Sequence, residues 1–558
     1  MTGKIYEFIT RRWQVTFGVF WLLTFLLYLP TVKAGWVMDS SILVYYYRHQ
    51  GFLDFINRVH SPTPSLYQFT QIVIYILFKL FDTNVYLWHL VHVTLHAINC
   101  YLLYLVCSRL LHDGGVANAQ HTVLAGVLLY IICPHISEVI VWEASYHYLQ
   151  GFLLILVSMY LLQQYHYRQW IGYAWLSGIV YFLATYSLEV FYLTPWFLLS
   201  IAIYYRYAAG YSTAIFRKAF LLFVLPALLL FSHHLIVLSA VFAHFAHLPD
   251  SVIQPVTSYL CKPPKFIFHV LFMGRYFPAA AQKLVYDACE AMWFWVLFYG
   301  GTAAIVTKLM IQKSKNPARR NAGMLLFSWV VLSIIIITPL TFPMSGMLMF
   351  YDRYLYFLSA FLFVVISLLA TNIRNSKFRM AVLLLIASSQ YPFTYTVNLY
   401  WKHSAYINNR LLTTLPAAGG KTILLLNLPE NFRGIGMIGA QPEGEYKRMR
   451  MSFLRDSIPN KVYDVASYNL ANIEDGAHTR VINDSTVHVT LNQWGTWWWY
   501  EGQGGHSYEN EDYRIDMKDV GHWYELTLKK PGENYLLLFA HGGKWENVNM
   551  KNRDTDQY

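Results

Sequence analysis

A chain of 558 residues in which 56% are hydrophobic, 18% aromatic and only 13% charged departs from a soluble globular protein, which carries roughly 25% charged residues. With a mean hydropathy of +0.34 and many apolar runs close to the ~20 residues that cross a hydrocarbon core, it reads as a polytopic membrane protein, and soluble enzyme, fibrous protein and disordered scaffold are excluded. The formal charge of +11 does not signal nucleic acid: residues 1–395 carry 25 basic and 12 acidic side chains and residues 396–558 carry 17 and 19, so the excess lies in the apolar part, as topogenic charge and contacts to anionic lipid.

The first apolar run, near 15–30, follows Arg11 and Arg12 and is longer than a signal-peptide core, so an uncleaved helix is expected. Further runs near 84–107, 121–134, 148–164, 170–187, 189–205, 219–243, 290–311, 323–341, 354–371 and 380–396 bring the expected number of transmembrane helices to about eleven. One more apolar stretch, 66–81, would invert everything downstream if it crossed. Basic residues decide against a crossing: with that stretch lying along the outer face, 16 Lys and Arg fall inside and 9 fall in the much longer outer loops, as the positive-inside rule requires. The expected topology is N-terminus cytoplasmic and C-terminus extracytoplasmic, in the cytoplasmic membrane. A transmembrane domain then covers 1–397, with a first outer loop of juxtamembrane helices at 31–83 and a long outer loop at 244–289.

Acidic residues contribute little to topology, so their placement is a nearly independent observation. Only Glu7 and Asp113 fall inside, whereas Asp39, Asp54, Asp82, Glu138, Glu143, Glu189, Asp250, Asp287, Glu290 and Asp352 fall at or beyond the outer ends of spans. Carboxylates near membrane depth are costly and mark function, so the chemistry is expected on the outer side. The tail, 398–558, changes character: 423–428, 487–491 and Trp523–Leu528 have the β-branched and aromatic content of strands, with turn signals at Gly439, Gly504, Gly505, Pro531 and Gly532. A small strand-rich or mixed α/β extracytoplasmic domain is expected. Its aromatic cluster, Trp494, Trp497, Trp498, Trp499 and Tyr500, suits stacking on sugar faces, resting at a bilayer interface, or core packing.

In the first outer loop Asp39 follows the first helix by about nine residues, where a carboxylate can take a proton from an incoming hydroxyl; the alternative is a cap on a helix beginning at Ser40 or Ser41. The segment 134–147 packs His135, Glu138, Glu143 and His147 between apolar runs. Glu138 and Glu143 are five apart and do not share a helical face closely, so a bidentate metal site is not indicated; interfacial water contacts are the alternative. His89, His92 and His96 form one stripe at i, i+3 and i+7. Without a Cys or carboxylate at matching spacing, polar interhelical contacts with Asn99 outweigh zinc ligation. Glu189 sits between two apolar runs and must reach a cavity or a partner. Arg353 suits a phosphate group, the alternative being a mutual salt bridge with Asp352, and Tyr354 adjoins the pair. Lys262, Lys265 and Arg275, with His244 and His247, place positive charge on the same side. The five cysteines, Cys100, Cys107, Cys133, Cys261 and Cys289, show neither paired metal spacing nor a disulfide framework.

At these residues the sequence resembles the GT-C superfamily of polyprenyl-phosphate-sugar-dependent membrane glycosyltransferases, within it the branch of protein O-mannosyltransferases and transmembrane and tetratricopeptide-repeat O-mannosyltransferases. The resemblance runs through roughly residues 10–400. It rests on the acidic first loop around Asp39, the His89–Asn99 segment, Ser137-Glu138-Val139 with Trp142, Ser187-Leu188-Glu189, and Asp352-Arg353-Tyr354-Leu355-Tyr356 with Ser359. It implies a GT-C-like helical fold, a polyprenyl-phosphate-linked sugar as donor, Asp39 as general base and Arg353 as a phosphate contact. Departures are Leu188, where relatives often carry Lys, and Tyr148, where they often carry Asp. Glu138 or Glu143 is then the expected second acidic residue, and Lys262, Lys265 or Arg275 the replacement cation. The tail shows no tetratricopeptide pattern, so a different acceptor is expected, whether glycan, lipid or protein. No catalytic metal is required by the sequence, and participation of a divalent ion is left open. A transporter or flippase of lipid-linked glycan is the reading from another class, and a non-catalytic scaffold presenting the tail is a third.

Overall fold

The computed structural model describes residues 13–37, 40–52, 68–187, 194–207, 212–233, 256–272, 291–311, 317–340, 352–438, 445–470, 472–491, 507–518, 523–530 and 534–551, with a few isolated positions between them. Each of the eleven apolar runs overlaps a helix among the described residues. Among the described residues seven helices are long and apolar enough to cross a membrane: Trp13–Thr31, Val85–Asp113, Glu143–Arg168, Thr213–His233, Pro317–Ile337, Asp352–Ala370 and Ser376–Thr413. An eighth is added if Ala119–Ile132 and Pro134–Val141, bent by 61°, are one span. Three of the expected eleven are then not counted: the runs near 170–187 and 189–205, whose described helices have 15 and 13 residues, shorter than the ~20 residues a crossing needs, and the run near 290–311, whose helix Met292–Ile311 is not among the seven.

The helical part is built inside-out relative to a soluble bundle. Outward stripes are apolar, with Leu22, Leu26 and Leu29 on one helix, Trp175, Ile179 and Phe182 on another, and Leu221, Leu225 and Leu229 on a third. Polar groups turn inward instead: Thr24, His96, Asn99, Ser158 and Gln163 are fully buried. Exposed apolar surface of this extent marks contact with lipid. Asp352–Ala370 and Glu143–Arg168 form the centre, 78% and 72% buried, while Ser376–Thr413 is peripheral. Gly126 allows the helix Ala119–Ile132 to close on this centre, since a Cβ there would lie 2.7 Å from the Val364 backbone.

One end of the bundle is tied by Asp113, which accepts from the Tyr167 and Tyr205 hydroxyls. The other end carries the tail. Across it lies the 14-residue helix Gln68–Phe81, whose Phe69 N–H donates to the Tyr186 carbonyl at 3.1 Å and whose Lys79 ammonium donates to the Tyr47 carbonyl at 2.7 Å. Asn84 then caps Val85–Asp113 by accepting from the N–H groups of Tyr86 and Leu87.

The 38-residue helix Ser376–Thr413 leaves the bundle and enters the tail, where Ile407, Leu411 and Leu412 join its core. Among the described residues three sheets follow. The strands Lys544–Asn547, Tyr535–His541, Thr422–Leu425 and Val462–Asp464 form a mixed sheet, with Ile423 opposite Leu536 and Val462 in parallel register. A six-stranded antiparallel sheet contains Thr486–Thr490 paired with Trp523–Leu528, and Leu428–Phe432 lies in a three-stranded one. Strand-rich segments expected from composition thus lie on strands, while the 494–500 aromatic cluster and the turn glycines Gly439, Gly504 and Gly505 are outside the described residues.

The tail grips the helix Ser40–His49, which follows Asp39 in the chain. The Ser41 hydroxyl donates to the buried Glu445, the Ser452 hydroxyl donates to the Ser41 carbonyl at 2.9 Å, and Trp36 packs on Phe453. Arg48 donates to the Ser452 carbonyl and pairs with Asp82 at 2.8 Å, and Arg455 reaches the same Asp82 at 2.6 Å.

Candidate functional site

At the tail-bearing end the chain breaks its helix at Cys133 and Pro134. Proline brings no N–H and has a φ already set for a first turn, so the short turn Pro134–Ile136 starts here and is followed by Ser137–Val141. Trp142 is extended, and a second short turn, Glu143–Ser145, leads into the long helix Tyr146–Arg168. Such a break strands carbonyls; the Ser145 hydroxyl answers two of them, with Trp142 at 2.7 Å and Glu138 at 3.0 Å as alternative acceptors. The result is a string of polar side chains at the bundle end.

Three groups of side chains are assembled there. In the first, the Asp352 carboxylate lies 3.1 Å from His135 Nδ1 and 3.0 Å from His269 Nε2, while His135 Nε2 donates to the His269 carbonyl at 2.9 Å. All three residues are buried, and their donor atoms lie within 4.8 Å of one another, so the group could hold a metal ion. In the second, Glu138 pairs with the Arg353 guanidinium and also accepts from the Arg353 backbone N–H at 3.1 Å. The same guanidinium lies over the rings of Trp142 and Tyr354, at 5.0 and 5.3 Å, which are cation–π distances. Tyr148 meets Tyr354 edge to face, and the His147 ring lies tilted against Tyr148 at 4.6 Å.

The third group is Glu143 and the segment entering the first loop. Glu143 is buried, and its Oε2 has no hydrogen-bond partner among the described residues. Its carboxylate presses against Gly35, where a Cβ would fall 1.8 Å from Oε1 and where φ is +144°, so glycine is required on both counts. Two residues on, the Val37 carbonyl accepts from the Trp142 indole at 3.3 Å. Asp39 itself, together with Glu189 and Arg275, lies outside the described residues.

Lys262 and Lys265 are buried on the helix Val256–Phe272. With His269 they fall at i, i+3 and i+7, so one face of that helix carries two ammonium groups and the imidazole that meets Asp352. His96 and Asn99 stand apart from this end. Asn99 Nδ2 donates to the Leu149 carbonyl and to the Tyr356 oxygen, so the Tyr356 hydroxyl donates to His96 Nδ1 at 2.9 Å. These are the polar interhelical contacts that their stripe offered, with His92 Nδ1 donating likewise to the Val139 carbonyl at 3.2 Å.

Two features escaped the sequence reading. Asp352 and Arg353 do not pair with each other: successive residues in the turn Asp352–Tyr354 point about 120° apart, so each meets a different partner. His269 was not singled out, although its spacing from Lys262 and Lys265 repeats that of His89, His92 and His96. Chemically, the end assembled here offers cations for an anion, a carboxylate for a proton and two imidazoles with a carboxylate for a metal. The chain matches no family model and no curated protein.

Proposed function

We propose that the protein is a membrane glycosyltransferase that moves a sugar from a polyprenyl-phosphate carrier to an extracytoplasmic acceptor. The observation that carries this reading is the buried Glu143, whose Oε2 has no hydrogen-bond partner among the described residues and whose carboxylate lies against Gly35 in the segment that leads to Asp39, together with the Glu138–Arg353 pair and the buried lysines Lys262 and Lys265 on the helix whose His269 meets Asp352. Transfer from a lipid phosphate needs a base for the acceptor hydroxyl and fixed positive charge for the phosphate that leaves. In this reading Asp39 is the base, Glu143 a second acidic group, and Arg353 with the lysines the phosphate contacts. The apolar outward faces keep the carrier's chain in lipid while its head group reaches the site. The tail, by gripping Ser40–His49, braces the first loop from the acceptor side.

The 61° break at Cys133 and Pro134 favours a second reading, passage of a lipid-linked glycan across the membrane, because broken helices line transport sites. One experiment separates the two. Full-length protein in detergent is incubated with a panel of polyprenyl-phosphate sugars, and released polyprenyl phosphate is followed by mass spectrometry. Transfer predicts donor consumption that Asp39→Asn abolishes and Glu143→Gln lowers; an unconsumed panel, combined with donor flipping in liposomes, would replace it with transport.

A further inference from the structure

We propose that His135, His269 and Asp352 bind one divalent transition-metal ion of the zinc class. A backbone carbonyl only accepts, so the 2.9 Å contact of His135 Nε2 with the His269 carbonyl fixes a proton on Nε2. In the neutral ring Nδ1 then carries a lone pair, and that lone pair faces the Asp352 carboxylate oxygen at 3.1 Å. Two acceptors at that separation, buried from water, repel unless a cation lies with them. The second imidazole directs Nε2 at the same oxygen from 3.0 Å, which completes a triangle of two nitrogens and one oxygen.

The triangle has the size of a metal site. Ligand atoms about 2.0–2.2 Å from a tetrahedral zinc stand roughly 3.3–3.5 Å apart, so the two N···O edges, 3.1 and 3.0 Å, need to open by a few tenths of an ångström, while the N···N edge lies within 4.8 Å. The orientation of His135 is also that of a ligand: metal-bound imidazoles give their other N–H to a backbone carbonyl or carboxylate, which holds the ring and the tautomer. Two imidazoles with one carboxylate select a borderline ion over magnesium or calcium, which take oxygen. A proton shared by His135 and Asp352 is the rival occupant. In that case a neutral His269, its ring centroid 4.4 Å from that of His135, donates its Nε2–H to the same oxygen and no metal is retained.

The ion would join three segments remote in sequence: the turn at the helix break, the helix that carries Lys262 and Lys265, and the start of the central helix Leu355–Ala370. Three protein ligands leave a coordination position for water or an anionic oxygen. Metal binding here does not depend on which reaction the site performs.

Full-length protein in detergent is stripped with chelator, loaded with Zn²⁺ or Co²⁺, desalted and assayed for metal. About one equivalent per chain is expected, with cobalt giving the visible absorption of a low-coordinate nitrogen and oxygen site. His269→Ala and His135→Ala lose that equivalent, whereas His89→Ala, which removes a buried histidine elsewhere, keeps it. His269→Gln retains a donor toward Asp352 and serves where an alanine variant does not fold. Zinc is also expected to raise the Tm of the wild type and leave that of His269→Gln unchanged. A wild type that retains no metal and shows no zinc-dependent Tm shift overturns the proposal, as does metal retention equal in wild type and His135→Ala/His269→Ala.

Discussion

Two helices carry a polar stripe at the same i, i+3, i+7 spacing, and they end in different chemistry. His89, His92 and His96 lie on Val85–Asp113, packed by neighbouring helices, and His92 and His96 are spent on a carbonyl and a tyrosine hydroxyl. Lys262, Lys265 and His269 lie on Val256–Phe272 at the tail-bearing end, where His269 finds a carboxylate from another segment. Spacing puts side chains on one face, but what that face meets decides whether they bind structure or ligand. The largest expected effect tests this contrast directly. If Lys262 and Lys265 hold the donor phosphate as proposed, replacing both by Met keeps much of their buried bulk and removes two charge-assisted contacts of about 1.5–3 kcal/mol each, so donor turnover should fall about 100-fold or more. His89→Leu should leave kcat/KM within about twofold. Equal losses in the two stripes would erase the distinction.

The tail holds a second pair of like residues in unlike surroundings. Burial pushes the Asp464 carboxyl up to about 7, helped by the nearby Glu445 and opposed by the Tyr446 N–H and Arg448. Asp512 is also pushed up by its burial, but the hydroxyl of Tyr463 and the Lys461 ammonium outweigh this and hold it below its ordinary value. The signs of their stability effects are opposite. Asp464 keeps its proton in the folded tail while the unfolded chain loses it near 3.9, so stability falls as pH rises from about 4 to 7 and then levels. Asp464→Asn should flatten that slope and leave the tail on the order of 2–4 kcal/mol more stable at pH 8, with no advantage below about pH 4. A residual slope from Glu430, raised by burial, is expected. Thermal melts across this pH range check the sign.

A smaller effect sharpens the contrast inside the bundle. Asn99→Leu removes the donor to the Leu149 carbonyl and the Tyr356 oxygen, which should cost about 1–3 kcal/mol of stability with turnover unchanged. Loss of turnover at unchanged Tm would move Asn99 from the scaffold into the site.

Much of the helical part could be read from the sequence because lipid contact demands long apolar runs, and those runs coincide with helices. Their number was less readable: 170–187 and 189–205 look like spans by hydropathy, yet the described helices there, Ile171–Thr185 and Pro195–Tyr207, have 15 and 13 residues. Polar residues at bundle ends could be picked out because carboxylates and guanidinium groups are rare beside apolar runs, which is how Glu138, Glu143, Asp352 and Arg353 stood out. Their partners could not, since Glu138 meets Arg353 across 215 positions and His135 meets Asp352 across 217. Such pairs are products of packing. Gly35 was equally hidden, for its requirement comes from Glu143 pressed against it.

The smallest expected effect separates two identical guanidinium groups on one carboxylate. Asp82 is pushed up by partial burial, but Arg48 and Arg455 more than offset this and hold its pKa below the ordinary value. Its contribution is therefore present above the ordinary aspartate range and fades as pH falls through the lowered value. Arg455 is 71% exposed at its side chain and Arg48 only 15%. An exposed pair is screened by salt and is worth about 0–1 kcal/mol, so Arg455→Ala should lower the Tm slightly at low salt and not at all in high salt. Arg48 also donates to the Ser452 carbonyl, so Arg48→Ala strands that acceptor at the junction and should cost about 1–3 kcal/mol with little salt dependence. Limited proteolysis at the junction, run at both ionic strengths, reads the difference. If the two variants behaved alike, exposure would not be what distinguishes the arginines, and the charge of Asp82 rather than the Ser452 carbonyl would set what each guanidinium contributes at this junction.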